Sequence, residues 1–464
     1  MRTEQDSLGE LALPADVYYG IQTARAVANF RISGQGLPVA MIRAMALLKQ
    51  AAARTHRSLG ELEPRLADAI EAAAGEVLAG KLDAAFVVDA FQAGAGTSFH
   101  MNMNEVIANR ANELLGRPLG SYDPINPNDH VNMGQSTNDV FPSAMRLAAL
   151  LELPGLERAL DALGDALAER ASAFAHVIKS GRTHLQDAVP VTLGQEFGAY
   201  ALTARRCRAK LRAAADALHE LGLGGTAAGT GLNTLPAYQA AVVAELAALS
   251  KLPLRPAPDL FEAMQSLAPI GDLSAALRGT ALELTRVAND FRLLASGPRT
   301  GFDELLLPAV QPGSSIMPGK INPSMAEMLN QVCFQVCGHD AAIALAVQAG
   351  QLELNVMMPV AALNLLNAIT WLGNAVDAFT RRCVVGVSAR EASSRAHAMN
   401  SVGLATALNP LIGYQAAAEV VKQAVKEQRS IVDVVIEQGL MTPDQAARAF
   451  SPETLTRPGK LQKE

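Results

Sequence analysis

Five stretches of this chain, each more than twenty residues long, repeat apolar side chains at intervals of three and four. That spacing places the apolar side chains on one face of an α-helix. The five stretches lie in one continuous block of the sequence, so they predict a bundle of long helices that bury these faces against one another. They cover residues 156–178, about 195–221, about 272–295, about 324–349 and about 359–383.

The alternation typical of β-strands is scarce, and only residues 177–194 (VIKSGRTHLQDAVPVTLG) are predicted to form a small hairpin. A smaller helical region follows the block from about Ser388. There, Thr442 followed by Pro443 and Gln445 predicts a helix start with a capping box. The chain is therefore expected to be mainly α-helical, with an N-terminal mixed domain at 1–138, a central bundle at 139–387 and a C-terminal helical domain at 388–464.

Charge and hydropathy exclude several classes of protein. With 39 Lys and Arg against 45 Asp and Glu the net charge is −6, so nucleic acid is not an expected partner. Residues 354–376 carry no charge, yet they contain a proline and four asparagines, which favours a helix buried in protein over a membrane span. The charged N-terminus lacks the apolar core of a secretory signal, so we expect a cytoplasmic protein.

The four cysteines are too few and too scattered for a disulfide framework. Cys333 and Cys337 share a helical face, but no second pair of Cys or His residues at ligand spacing accompanies them. The four thiols are therefore expected to be buried. Neither a metal site nor an organic cofactor is expected.

Four short segments between the helices are dense in hydroxyl and amide side chains: GAGTS at 94–98, QSTND at 135–139, GRTHLQD at 181–187 and GSSIMPGKINP at 313–323. The first can be a simple turn, the second a helix cap, and His184 in the third a hydrogen-bonded structural histidine. The fourth is harder to explain by structure alone, because two glycines and a proline force an irregular loop that presents two serines, a lysine and an asparagine.

Together these donors suit a small anion with two negative ends. Lys320 supplies a point charge, and backbone amides of the glycine-containing loop can add to it. No phosphate-binding or dinucleotide motif is present, so a nucleotide is a poor candidate for that anion. The neutral donors are Thr97, Ser136, Thr137, Asn138, Thr183, Ser315 and Asn322.

GSSIMPGKINP resembles the characteristic loop of the aspartase/fumarase superfamily, and the other three segments match the remaining active-site stretches of that superfamily in order and separation. The similarity extends from SLGELALPADVYYGIQT to ALNPLIGY. Within the superfamily the sequence is most similar to the aspartate ammonia-lyases. GAGTS carries Ala95, where class II fumarases typically carry serine, and YYGIQT, NQVCFQV and AGQLELNVM are also typical of the ammonia-lyases.

The resemblance implies the reversible elimination of ammonia from L-aspartate to give fumarate, through a carbanion whose charge spreads into the β-carboxylate. It makes Ser314 the general base and adds His184 and Lys320 as catalytic residues. It places Thr97, Ser136, Thr137 and Ser315 at the β-carboxylate and Thr183, Lys320 and Asn322 at the α-carboxylate. Asn138 and His184, with Thr97, would face the amino group. Met317 and Glu327 complete the substrate-binding set, Glu327 as the partner of His184.

The resemblance also implies a three-domain aspartase/fumarase fold. In that fold the long five-helix bundles of four subunits form a twenty-helix core, and each active site draws on three subunits of the homotetramer. Two other functions stay open: a class II fumarate hydratase that converts L-malate, and a catalytically silent structural protein on the same fold.

Overall fold

The structure is a computed structural model that describes residues 1–459. Its α-helices confirm the mainly α class: α1 Ile21–Asn29, α2 Val39–Ser58, α3 Pro64–Leu78, α4 Thr97–Leu114, α5 Thr137–Ala173, α6 Leu193–Ala215, α7 Tyr238–Ser250, α8 Leu260–Gln265, α9 Ala268–Leu294, α10 Ser324–Gln348, α11 Met358–Phe379, α12 Glu391–Asn400, α13 Asn409–Ile412, α14 Tyr414–Glu427, α15 Ile431–Glu437, α16 Pro443–Ala449 and α17 Pro452–Leu455.

The strands are short and pair two by two. β1 Arg2–Asp6 pairs with β2 Gly9–Leu13, β3 Ile178–Thr183 with β4 Gln186–Thr192, β5 Glu220–Leu221 with β6 Arg255–Pro256, and β7 Leu305–Leu306 with β8 Ser388–Ala389. The β3–β4 pair is the hairpin that the sequence predicts. The β1–β2 hairpin is not predicted, because its residues include four charged ones and show only weak alternation.

The five predicted long helices are present as α5, α6, α9, α10 and α11, with lengths from 22 to 37 residues. Some of the predicted bounds were wrong. The first helix, α5, begins at Thr137 instead of 156, and the second, α6, stops at Ala215, so Leu221 lies in β5. In addition, α5 stops at Ala173, and Ile178 begins β3. Ile178 pairs with Thr192 across the hairpin and is buried there. An apolar residue is equally compatible with a buried strand and a buried helix, so the sequence pattern alone did not distinguish them.

Helix α11 contains most of the uncharged stretch 354–376. Many of its side chains, such as Leu365, Leu366 and Leu372, are fully buried, as expected for a helix inside a protein core. Across residues 1–459 there is no helix with the length and apolar character that a membrane crossing requires. Cys207, Cys333 and Cys383 are buried, as the sequence predicts, whereas Cys337 is only half-buried.

The chain divides into two compact units. The first comprises 1–157, 209–281 and 334–372, and the second 158–208, 282–333 and the chain from 373 onward. Every boundary between them falls inside one of the five long helices. The division into domains at 138/139 and 387/388 stays a prediction.

In the first unit, a buried carboxylate holds the N-terminus of α1. Glu105 of α4 accepts hydrogen bonds from the backbone N–H groups of Gly20, Gln22 and Thr23 at 2.8 to 3.1 Å, and from the Thr23 hydroxyl at 2.6 Å. Burial raises the pKa of Glu105, and these four donors oppose that rise. The contact satisfies the free amides of α1 and ties α4 to the N-terminal segment.

In the second unit, the C-terminal helices have a small apolar core of their own. Val420 of α14, Val434 and Val435 of α15 and Phe450 are buried in it. The capping box predicted at the start of α16 is confirmed, since the Thr442 hydroxyl accepts from the Gln445 amide and the Gln445 side chain accepts from the Thr442 amide.

Candidate active site

Thr97 is the first residue of α4 and is exposed. The turn before it is tight, with φ of 61° at Ala95 and 88° at Gly96, and the Ala95 amide donates to the carbonyl of Val356 at 2.7 Å. A Cβ on Gly96 would lie 2.2 Å from the ring of Phe141, so only glycine fits there. The interpretation of GAGTS as a turn is confirmed, and the turn presents Thr97 at a helix N-terminus.

QSTND begins α5, and its aspartate caps the helix. Asp139 is fully buried and accepts from the amide of Ser136 at 3.0 Å and from the amides of Gly224 and Thr226 at 2.9 and 3.1 Å. Burial raises the pKa of Asp139 to about 6, although three amides stabilise its charge. The interpretation of this segment as a cap is confirmed for Asp139, and the cap fixes the backbone from which Thr137 and Asn138 project.

Thr137 and Asn138 each contact a neighbour in the first unit. The Asn138 amide donates to the carbonyl of Ala227 at 2.8 Å. The Thr137 hydroxyl lies 2.8 Å from Nδ1 of His100, and Nε2 of His100 lies 2.7 Å from Nζ of Lys49. Sequence reasoning assigned no role to Lys49 or His100, although Lys49 is the one charged residue between Arg43 and Arg54.

Thr183 and His184 lie at the tip of the β3–β4 hairpin. Thr183 pairs with Gln186, which leaves His184 and Leu185 as a two-residue loop with φ of 56° and 59°. Two successive positive φ values are those of a type I′ turn, which is strained for residues with a Cβ. His184 is exposed and has no hydrogen-bond or ion-pair partner within residues 1–459, so in a single chain it is not a hydrogen-bonded structural histidine.

A buried charge network supports this hairpin inside the second unit. Glu304, with no exposed side-chain surface, accepts from Arg182 at 2.7 and 3.1 Å, lies 3.3 Å from Nζ of Lys179, and contacts Nδ1 of His397 at 2.9 Å. Burial alone would raise the pKa of Glu304, but the hydrogen bonds with Arg182 and His397 and the charges of Lys179 and Arg182 outweigh burial and lower it. The network holds strand β3 just before Thr183.

The loop at 313–322 is closed by its own backbone. The amide of Gly313 donates to the carbonyl of Lys320 at 2.8 Å, and a Cβ on Gly313 would lie 2.4 Å from that oxygen. Inside the loop, the Ser314 hydroxyl oxygen accepts from the amides of Ile316 and Met317 at 3.2 and 2.9 Å. These two donors lower the energy of negative charge on Ser314 Oγ.

The remaining loop residues face solvent or their own loop. Ser315 and Lys320 are exposed, and the Asn322 amide donates to a carbonyl of the same loop. Glu327 is half-buried in the first turn of α10 and has no contact with His184 within the described chain. The pair of His184 and Glu327 is therefore not formed inside one chain, and it stays a prediction for the assembled protein.

The candidate residues thus form three groups. The N-terminal cluster (Thr97 and 136–138) belongs to the first unit, and the hairpin tip (183–184) and the serine loop (313–322) belong to the second. Each group presents hydroxyl, amide or ammonium donors, which suit carboxylates. Among residues 1–459, no three His, Cys, Asp or Glu side chains are placed to hold a metal ion.

Comparison with known proteins covers almost the whole chain. The family model described as Lyase matches residues 9–338, and the model described as Fumarase C C-terminus matches residues 404–457. The chain is 48% identical to an aspartate ammonia-lyase from Pseudomonas fluorescens, with 98% of this chain and 96% of that protein covered. It is 47% identical to a class II fumarate hydratase from Neisseria meningitidis, with 98% and 99% covered.

A solved structure extends the likeness to three dimensions. A fumarate lyase:delta crystallin from Brucella melitensis superimposes with a TM-score of 0.96 at 47% identity, and the match covers 98% of this chain and all of that one.

Proposed function

Because the chain belongs to the aspartase/fumarase superfamily, we propose that it is a carbon–nitrogen lyase that interconverts L-aspartate with fumarate and ammonia. In this proposal Ser314 removes a proton from the β-carbon, and the electron pair of the broken C–H bond moves into the β-carboxylate. The C–N bond then breaks, the electron pair returns to form the double bond of fumarate, and the amino group leaves as ammonia.

The geometry of Ser314 is the observation that carries this proposal. A serine hydroxyl is too weak an acid to act as a base without help. The amides of Ile316 and Met317 already point at its oxygen, at 3.2 and 2.9 Å, and the ammonium of Lys320 belongs to the same closed loop. These groups favour the alkoxide form that proton removal requires.

The intermediate carries two negative charges on one carboxylate, so it needs converging donors. In the proposal, Thr97, Ser136, Thr137 and Ser315 hold the β-carboxylate, and Thr183, Lys320 and Asn322 hold the α-carboxylate. Asn138 and His184 face the amino group, with Met317 and Glu327 at the edge of the site. Donors fixed before the reaction stabilise charge at little reorganisation cost.

Ala95 is the residue of this chain that favours the ammonia-lyase over the hydratase. Its buried methyl group lies in the turn before Thr97, at a position where class II fumarases typically carry a serine hydroxyl. The hydratase is nevertheless a real second candidate, since a class II fumarate hydratase is as similar to this chain as the ammonia-lyases are.

The test is to follow fumarate by its ultraviolet absorbance from L-aspartate and, separately, from L-malate with one preparation. We expect kcat/KM for L-aspartate to exceed that for L-malate by at least on the order of a hundredfold. Activity on L-malate alone would assign the hydratase instead. Activity on neither substrate would support the silent structural protein.

We further propose that the protein is a homotetramer whose active sites each combine the N-terminal cluster of one subunit, the hairpin tip of a second and the serine loop of a third. The supporting observation is the outer face of α10. From 331 to 348 its exposed residues carry no charge: Gln331, Phe334, Gln335, Gly338, Ala341, Ala344, Leu345 and Gln348. A solvent-facing helix normally carries charged residues there, so this face suits contact with another subunit.

Charging this face tests the assembly. Replacing both Phe334 (61% exposed) and Leu345 (63% exposed) with Glu is expected to give dimers or monomers by light scattering and to abolish lyase activity. The matched control is Val425→Glu on α14, which charges a side chain that is 60% exposed and lies outside this face. A fully active monomeric double variant would refute the shared site.

A further inference from the structure

Lys49 is a buried lysine without a carboxylate in hydrogen-bond contact. It lies in the middle of α2 with 1% of its surface exposed. Its Nζ contacts Nε2 of His100 at 2.7 Å, Oε1 of Gln135 at 2.8 Å and Oδ1 of Asn132 at 3.2 Å. An ammonium has three hydrogens, and these three contacts provide one acceptor for each of them.

Burial lowers the pKa of Lys49 well below its usual range, and only the charge of the nearby Asp139 opposes that shift. A buried cation in such a place gains from any anion that comes close. The hydrogen-bond chain that leaves Lys49 ends at Thr137, because Nδ1 of His100 lies 2.8 Å from the Thr137 hydroxyl oxygen. Thr137 is only half-buried, so an anion can reach it.

The direction of the hydrogen bonds follows from the chemistry of imidazole. A neutral histidine donates through one ring nitrogen and accepts at the other. When Nε2 accepts from the Lys49 ammonium, the ring hydrogen is on Nδ1 and is donated to Thr137. The Thr137 oxygen then acts as the acceptor, and its own hydrogen is left to donate elsewhere. Within residues 1–459 the Thr137 hydroxyl has no other hydrogen-bond partner.

We infer that Lys49 and His100 form a positioning pair that aims the Thr137 hydroxyl hydrogen at a carboxylate of the substrate. This inference rests on the proposed function for the identity of the substrate as a C4 dicarboxylate. The pair touches neither the substrate nor the reacting atoms, but it fixes a donor that does.

The opposite arrangement would remove this donor. If Nε2 carried the ring hydrogen and donated to a neutral Lys49, the Thr137 hydroxyl would donate to Nδ1 of His100 and have no hydrogen left for the substrate. The two arrangements therefore predict different effects for substitutions that keep only one of the two ring contacts of His100.

Two amide substitutions separate these contacts. In His100→Asn, the amide nitrogen takes the place of Nδ1, so the donor to Thr137 is kept and the acceptor for Lys49 is lost. In His100→Gln, the longer side chain reaches the place of Nε2, so the contact with Lys49 is kept and the donor to Thr137 is lost. Both are neutral, polar and similar in size, so a purely packing role would make their effects similar.

We expect His100→Gln to lower kcat/KM for L-aspartate by on the order of tenfold or more, the value of one well-placed hydrogen bond. We expect His100→Asn, which keeps the donor to Thr137, to lose at least about threefold less than His100→Gln. In a Thr137→Val background, which removes the hydroxyl, His100→Gln should cost nothing further. An equal loss from His100→Gln with and without the Thr137 hydroxyl would overturn the inference, as would equal losses for the Asn and Gln variants.

Succinate binding is to be measured by calorimetry for His100→Asn, His100→Gln, Thr137→Val and the double variant of Thr137→Val with His100→Gln. Succinate is a C4 dicarboxylate without a leaving group or a double bond, so its binding requires no turnover. If the unsubstituted protein converts neither L-aspartate nor L-malate, the proposed function fails. The inference about His100 is still tested in that case, because His100→Gln should weaken succinate binding only when the Thr137 hydroxyl is present. Melting temperatures of all variants verify that each one is folded.

Discussion

Replacing Ser314 with alanine is expected to lower kcat on L-aspartate by about a thousandfold, or about 4 kcal/mol of activation free energy. The substitution removes the oxygen that accepts the amides of Ile316 and Met317, so the loop no longer holds a base. Steady-state kinetics on the purified protein measures the loss. The loop backbone should persist, since the contact between Gly313 and Lys320 does not involve the serine side chain.

Two controls distinguish a base from a structural hydroxyl. Ser314→Ala should bind succinate within about threefold of the unsubstituted protein, because a base acts on the transition state and not on a bound dicarboxylate. Ser314→Thr keeps a hydroxyl within reach of the same two amides and should retain much more activity than the alanine variant. A loss of only a fewfold in Ser314→Ala, or a parallel loss of succinate binding, would remove Ser314 from the role of base.

The helices and the hairpin of this chain could be predicted because their signals are local. Leu156, Leu160, Leu163 and Leu167 repeat at helical spacing, and all four are buried. The Thr442 capping box likewise needs only four neighbouring residues. The end of α5 could not be predicted, because an apolar residue such as Ile178 fits a buried helix and a buried strand equally well, and pairing across the hairpin decides between them.

The sequence predicted the residues expected to contact the substrate, but not the buried residues that contact them. Thr137 stands in a polar segment that the sequence marks clearly. Lys49 lies 88 positions earlier (137 − 49) in an alanine-rich helix, and its contact with His100 depends on how α2 packs in the first unit. A lone charge on an otherwise apolar helix face, with Met45 and Ala52 buried beside it, was the available signal.

Mixing two impaired variants tests whether the three groups of site residues come from different subunits. Thr137→Val weakens the N-terminal cluster by on the order of tenfold and Ser314→Ala disables the serine loop, so an equal mixture without subunit exchange should keep only about a twentieth of the original activity. If the two groups in one site come from two different chains, each is intact in half of the sites of an equal mixture. About a quarter of the sites should then be whole, so reassembled hybrids should recover about a quarter of the original activity.

The matched control pairs Ser314→Ala with Lys320→Met. Both substitutions lie in the serine loop, between the Gly313 amide and the Lys320 carbonyl that close it, so both affect the same group of every site. No exchange of subunits can place an intact Ser314 and an intact Lys320 in one loop, and this hybrid should stay inactive. Recovery in the first mixture alone supports the shared site. Failure of both mixtures, with hybrid tetramers verified by two affinity tags, would place the N-terminal cluster and the serine loop of each site on one chain.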